Sequence, residues 1–276
     1  MSRKQQFEAY QSNLVDIGFT ADEARHIMMV RAADDLQRGR PNEPLQFRLE
    51  KKEDDALEVS IYGTIGFDFF EGGFTPDKLT EQLKAAGKVS QINVYINSGG
   101  GDAFDGVTLH SILRRQQAKV SVYVDGLAAS AATIVASAAD PGELRIAAGG
   151  MWMAHRAWGV AVGNTKDMAD YAVLLEKLDG RIAGIYAARS GRRPETFLKI
   201  MDAETWMTGE EAIAEKMVDS VVAGKKAAAC ANPALLLRYR NLPESLKAEA
   251  VPPPDPRPSR DAVATRLKLL ELDEVA

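Results

Sequence analysis

Between Leu57 and Ala139 the hydrophobic pattern passes three times from strand spacing to helix spacing, which restricts the fold more than any other feature of the chain. "LEVSIYG" puts Leu57, Val59 and Ile61 on one side of an extended segment, as a half-buried strand requires. "TPDKLTEQLKAAG" follows as a helix, with Pro76 in its first turn and Gly87 at its end, the positions those residues favour. "INVYINS" and "FDGVTLHSILRRQQ" repeat the pair, and "KVSVYVDG" with "SAATIVASAA" repeats it again. Successive strand–helix pairs predict an α/β fold with parallel strands and right-handed crossovers.

The flanks have a different texture. Residues 1–45 are helical and charged, with Thr20 as a candidate N-cap and Glu23 three positions on, a capping-box signature. Pro41 and Pro44 close this N-terminal extension. Residues 46–225 form the expected main domain. Its later part contains "LRIAAGGMWMAH", the strand-like "GVAVGN", a long helix over "TKDMADYAVLLEKLDGRIAGIYAARSG", and "TWMTGEEAIAEKMVDSVVAG", which reads as helix followed by strand. Residues 226–276 form a C-terminal segment. It contains "VPPPDPRPSRD", with five prolines in eleven residues, which predicts an extended linker. The closing "AVATRLKLLELDEVA" is amphipathic enough to predict a short helix, which would need a partner to be stable.

Composition narrows the function. A formal net charge of -5 gives no electrostatic footprint for nucleic acid. One cysteine, Cys230, leaves no disulfide framework and no Cys-rich zinc site. The opening "MSRKQQFEAYQSNL" is too polar for a secretory leader, and no uncharged apolar run reaches membrane-spanning length. A soluble, cytoplasmic protein without metal or organic cofactor is expected.

Ser130 lies inside "VDGLAASAATIVASAA", surrounded by the smallest side chains and directly after an apolar alternation. Activating its hydroxyl needs a base within hydrogen-bond reach, usually histidine, and a carboxylate to orient that base. The chain offers three histidines. His26 lies in the N-terminal extension and His110 inside a helix. His155 follows "MWMA" at an expected strand end, where α/β sheets present side chains to a cleft. The glycines Gly99–Gly101 in "YINSGGGDAFDG" form either a tight turn needing positive φ or a row of bare N–H groups facing an oxyanion. No Gly-Lys-Ser/Thr follows and the GxGxxG spacing is absent, so this is not a nucleotide loop.

"YINSGGG", "VDGLAASAA", "MWMAHRAW" and "TWMTGEEAIAEKMVDSVV" occur in an order and spacing that resemble the Clp-type serine peptidases, and among these the head maturation (prohead) proteases of tailed phages and prophages. Twenty-five residues separate Ser130 from His155 and 49 separate His155 from Glu204, similar to that family's serine, histidine and acid. The resemblance covers residues 55 to 222. It implies a ClpP/crotonase-like spiral of βαβ units with a projecting handle helix, here Thr165 to Arg189. It implies Ser130 as nucleophile, His155 as general base, and the backbone N–H groups of Gly100 and Ala131 as the oxyanion hole. Glu204 stands where the family commonly has aspartate, and Asp202 is its rival. "GVAVGN" falls where the family aligns substrate as an extended ribbon.

The function so implied is a serine endopeptidase that cleaves scaffold or capsid proteins in phage head maturation. It would work as a homo-oligomeric ring in the host cytoplasm or assembling prohead, with no nucleic-acid or membrane partner. Three other readings compete: a crotonase-like acyl-CoA enzyme, which usually works through carboxylates; a Ser–Lys peptidase of the signal-peptide-peptidase type; and a catalytically weak ring subunit that serves as scaffold.

Overall fold

A computed structural model describes residues 49–51, 55–66, 73–223, 239–243 and 246. His26, Cys230, the N-terminal extension, the proline-rich linker and the closing helix lie outside the described residues. The compact unit that holds the described ones runs Glu43–Ala250.

Eight strands form one sheet: β1 (Leu49–Lys51), β2 (Ala56–Tyr62), β3 (Gln91–Ser98), β4 (Lys119–Ala129), β5 (Leu144–Ala147), β6 (Met151–Ala154), β7 (Thr205–Thr208) and β8 (Ser220–Val222). Among the described residues six helices accompany them: α1 (Pro76–Ala86), α2 (Ala103–Arg114), α3 (Ala131–Ala136), α4 (Thr165–Ser190), α5 (Pro194–Asp202) and α6 (Gly209–Ala214). The sheet order is β1-β2-β3-β4-β5-β8, with β6 pairing β4 off this path and β7 pairing β6. Pairing is parallel from β2 to β5, at β5–β8 and at β4–β6; only β1 and β7 join antiparallel.

Each β–α pair read from the sequence is present, and its local chemistry accounts for its ends. Thr75 caps α1, accepting from the Lys78 N–H, and Gly87 ends it at φ 69, a conformation that suits glycine. In β3, Ile92, Val94, Ile96 and Ser98 are buried while alternate residues are half-exposed. Each buried isoleucine or valine there contributes ~1.5–3 kcal/mol. Ala131, Ala132 and Ala136 of α3 are all buried. A methyl group at Gly106 of α2 would meet the Ala131 Cβ at 3.2 Å, so these two helices pack at the distance that small residues allow.

The later half departs from the sequence reading in four places. "TWMT" is a strand, β7, and α6 begins only at Gly209. A Thr208–Glu211 capping box starts that helix. The segment "GVAVGN" forms no strand; residues 155–164 are irregular, and Trp158, Val160 and Val162 stand exposed. Its apolar alternation has no neighbouring strand to pair with among the described residues. α5, opened by Pro194, was not anticipated. Finally, packing continues past residue 225, because Tyr239 and Leu242 are buried in the same unit.

α4 is divided along its length. Leu178, Ile182, Ala183, Tyr186 and Ala187 are buried, whereas Met168, Val173 and Leu174 in the first half are exposed. An Asn164–Asp167 capping box holds its exposed start. The helix therefore projects from the body of the domain, as a handle does.

Candidate active site

Strand register assembles the site. Ala129 at the end of β4 pairs in parallel with Met153 of β6, so Ser130 and His155 leave the sheet side by side. The Ser130 N–H donates to the Met153 carbonyl at 2.9 Å, which ties the two strand ends together. β7 runs antiparallel to β6 with Thr205 opposite Ala154, so Glu204, just before β7, lies beside the residue just after β6. Three residues far apart in sequence are thus brought near one another at the carboxyl ends of β4 and β6, the end at which parallel sheets open a crevice.

Ser130 Oγ and His155 Nε2 are 2.8 Å apart. Ser130 precedes α3 with φ 56 and ψ -125, and its side chain makes no capping bond. Its hydroxyl is therefore turned to the imidazole instead of to the helix end. Among the described residues only four non-glycines have positive φ: Asp55, Ser130, Glu204 (φ 47) and Lys216. Such backbone costs about 1–3 kcal/mol and persists where its surroundings over-determine it. Two of the four are candidate catalytic residues.

The other histidine in the described residues, His110, sits half-buried in α2. Burial, then nearby Arg114, lowers its pKa to about 4. It is in a different place, and no described contact joins it to Ser130.

The glycine loop reaches the same edge. A Cβ added at Gly100 (φ 94) would come within 2.7 Å of the Ser130 Cβ and 3.2 Å of the Ala131 nitrogen, so only bare backbone fits. The expected donor differs in detail. The Gly100 N–H donates to Ser98 Oγ at 3.1 Å, and the Ser98 hydroxyl donates to the Gly63 carbonyl at 2.5 Å. The N–H of Gly101 has no acceptor among the described residues. Ala131 opens α3, and a first-turn N–H has no acceptor within its helix. Among the described residues, the N–H groups of Ala131, next to Ser130, and of Gly101, in the glycine loop, have no acceptor.

The acid side holds three carboxylates, two of them joined through Arg156. Asp202 Oδ1 accepts from Arg156 Nε at 2.7 Å, and that hydrogen bond lowers the Asp202 pKa. Asp179, buried on α4, accepts from Arg156 Nη1 at 3.1 Å and from the Ala157 N–H at 2.8 Å. The same hydrogen bonds, that to Asp202 first, raise the Arg156 pKa. The Arg156 N–H also reaches the Met201 carbonyl at 3.2 Å. Glu204 lies outside this clamp, and its Oε1 accepts the Asn241 N–H at 2.6 Å. No hydrogen bond joins His155 to any of these three carboxylates among the described residues.

The sequence reading did not reach Arg156, Asp179, Tyr239 or Asn241. Arg156 directly follows His155, the one cue available. Tyr239 and Asn241 lie beyond the recognisable motifs and carry no signature of their own.

A spiral α/β sheet with parallel strands, a projecting helix and a serine–histidine contact at the strand ends defines a ClpP-like architecture. The chain belongs to the Clp protease family, whose model matches residues 77–225. A curated relative, the ATP-dependent Clp protease proteolytic subunit of Leuconostoc citreum (strain KM20), is 33% identical over 142 residues, covering 51% of this chain and 71% of the relative. A solved structure of a ClpP1 point mutant from Listeria monocytogenes superposes with a TM-score of 0.53 at 23% identity, covering 62% of this chain and 93% of that one; it speaks for the fold alone. Among the described residues no helix is long and apolar enough to cross a membrane.

Proposed function

We propose that the protein is a serine endopeptidase. The observation that carries this reading is the 2.8 Å approach of Ser130 Oγ to His155 Nε2 at adjoining strand ends. In this mechanism Ser130 attacks the scissile carbonyl while His155 takes its proton, then returns it to the leaving amine. Water repeats the sequence to release the acyl group. Negative charge on the tetrahedral oxygen falls to the Ala131 N–H and one glycine N–H. Gly100 serves only if it leaves Ser98, and Gly101 is already open. Losing one such donor typically costs about 10²–10³ in rate. Glu204 is the preferred orienting acid, because the Arg156 guanidinium holds Asp202 and burial with two donors holds Asp179.

Trp158, Val160 and Val162, which follow His155 in the chain, are exposed and offer apolar surface to an extended polypeptide. The exposed half of α4 presents Met168, Val173 and Leu174 for mating two rings of subunits. The biological setting proposed is head maturation of a tailed phage or prophage, with scaffold or capsid protein as substrate, in the cytoplasm or assembling prohead. The domain plan proposed keeps residues 1–45 as an extension for docking and 226–276 as a C-terminal segment, of which Tyr239 and Leu242 pack against the peptidase domain. An acyl-CoA enzyme is the lesser reading, since such chemistry has no need of the Ser–His contact; heat on titrating acyl-CoA would favour it.

Co-expression with a phage scaffold and capsid protein, wild type against Ser130→Ala, tests this function by mass spectrometry. New internal termini in the wild type alone are expected. Identical products in both would overturn the proposal.

A further inference from the structure

Residues 239–242 form a turn in which Tyr239 and Leu242 are buried while Arg240 and Asn241 are exposed. Tyr239 is 6% exposed and Leu242 5%, packed with Leu127, Ala129 and Met153 on the face of β4 and β6 opposite the main core. These are the two strands that end in Ser130 and His155.

The contacts from this turn reach the His155 ring, β7, the glycine loop and Glu204. The Tyr239 ring stands edge-on to His155, with centroids 5.3 Å apart at 79°. It meets Trp206 of β7 in the same way at 5.5 Å and 76°. Its hydroxyl donates to the Gly99 carbonyl at 2.5 Å, so one side chain links the imidazole, the strand after Glu204 and the glycine loop. The Asn241 N–H holds Glu204 Oε1 at 2.6 Å, and its side-chain amide donates to the Ala203 carbonyl at 2.8 Å. The left-handed turn that carries Glu204 is thereby bonded twice from outside.

We infer that Tyr239 and Asn241 are positioning residues, Tyr239 for the His155 ring and the glycine loop, Asn241 for the Glu204 carboxylate. This rests on the serine peptidase reading. A glutamate has one more rotatable bond than an aspartate, so more of its rotamers point elsewhere. Fixing one oxygen through a backbone N–H removes that freedom. A plug would act differently, by covering the nucleophile. Here no described hydrogen bond or ring contact of residues 239–243 involves Ser130, Gly101 or Ala131, and the Ser130–His155 contact is intact. The family model matches residues 77–225, so the brace lies outside the matched residues, and the catalytic unit extends to Leu242.

The test uses the full chain and a fluorophosphonate probe, comparing labelling rates of wild type, Tyr239→Leu, Tyr239→Phe and Asn241→Pro below their melting temperatures. Leucine keeps the apolar packing without the ring or hydroxyl; phenylalanine keeps the ring. Tyr239→Leu and Asn241→Pro should each slow labelling about tenfold or more, with Tyr239→Phe between them and wild type, as misplacement of catalytic groups does. The ¹⁵N signals of the His155 ring, which report its tautomer, should change in Tyr239→Leu and stay near wild type in Tyr239→Phe. Wild-type rates and unchanged ring signals in Tyr239→Leu and Asn241→Pro would overturn the brace, and so would faster labelling, which marks a cover. Absence of labelling in the wild type, or labelling that survives Ser130→Ala, would instead sink the serine peptidase reading, and the brace with it.

Discussion

The two sides of the His155 imidazole are built from different materials. Towards Ser130 the construction is backbone: parallel register between β4 and β6, one N–H to the Met153 carbonyl, and then the 2.8 Å side-chain contact. Towards the acid, register between β6 and β7 brings Glu204 close, but the carboxylates are held by individual hydrogen bonds. Arg156 clamps Asp179 and Asp202, while the Asn241 N–H, 37 positions along the chain, holds Glu204. Backbone register moves little when one side chain is changed. A carboxylate network can be rearranged by single substitutions, so the acid side is where this site can be tuned or broken by degrees.

The largest effect expected is on the backbone-built side. Ser130→Ala and His155→Ala should each abolish probe labelling and lower any peptidase rate by about 10⁴–10⁶, the scale seen when a member of a serine triad is removed. Residual turnover near the wild-type rate would break the comparison at its firmer end.

Next comes the choice between acids. Glu204→Gln should slow acylation by about 10²–10⁴, because an amide no longer stabilises the imidazolium or selects its tautomer. Asp202→Asn should change the rate less than about threefold, the cost of one exposed ion pair. A reversal of these two, measured as initial labelling rates, would move the orienting role to Asp202.

The clamp itself should register as stability. Arg156→Ala leaves the buried Asp179 carboxylate with the Ala157 N–H alone, which should cost ~1–3 kcal/mol in urea unfolding. Arg156→Lys should recover part of that. An unchanged unfolding midpoint in Arg156→Ala would mean that the clamp carries no load.

The smallest effect lies on the glycine-loop side. Burial first, then Asp102 and Asp77, raises the Asp105 pKa to about 6. A carboxyl whose folded pKa is raised binds its proton more tightly in the folded state, so it weakens the fold at neutral pH and the penalty fades as pH falls from about 6 towards the usual carboxylate range. Asp105→Asn should therefore raise the melting temperature slightly at pH 7 and leave it unchanged near pH 3. A gain of equal size at both pH values would contradict this electrostatic origin.

What could be read from the sequence follows the same division. Val94, Ile96 and their neighbours alternate because a strand has two faces, and the helices announce their ends through Thr75, Pro76 and Gly87. Ser130 and His155 stood out because few residues can do their chemistry and because each follows such a strand. The antiparallel turn of "TWMT" onto β6 was hidden, since four residues carry too little periodicity to separate strand from helix. Conversely "GVAVGN" has the alternation of a strand but no partner among the described residues. Gly99–Gly101 marked the loop, yet which N–H stays open depends on the Ser98 hydroxyl, and no pattern encodes that. Tyr239 and Asn241 act through tertiary contact alone, beyond every motif.

The central claim is that Ser130 is the nucleophile activated by His155. Peptide mapping of the fluorophosphonate adduct tests it most directly. The account predicts a single adduct on Ser130 in the wild type, lost in His155→Ala although Ser130 is still present. An adduct on another residue, or one on Ser130 that forms as fast without the imidazole, would contradict it.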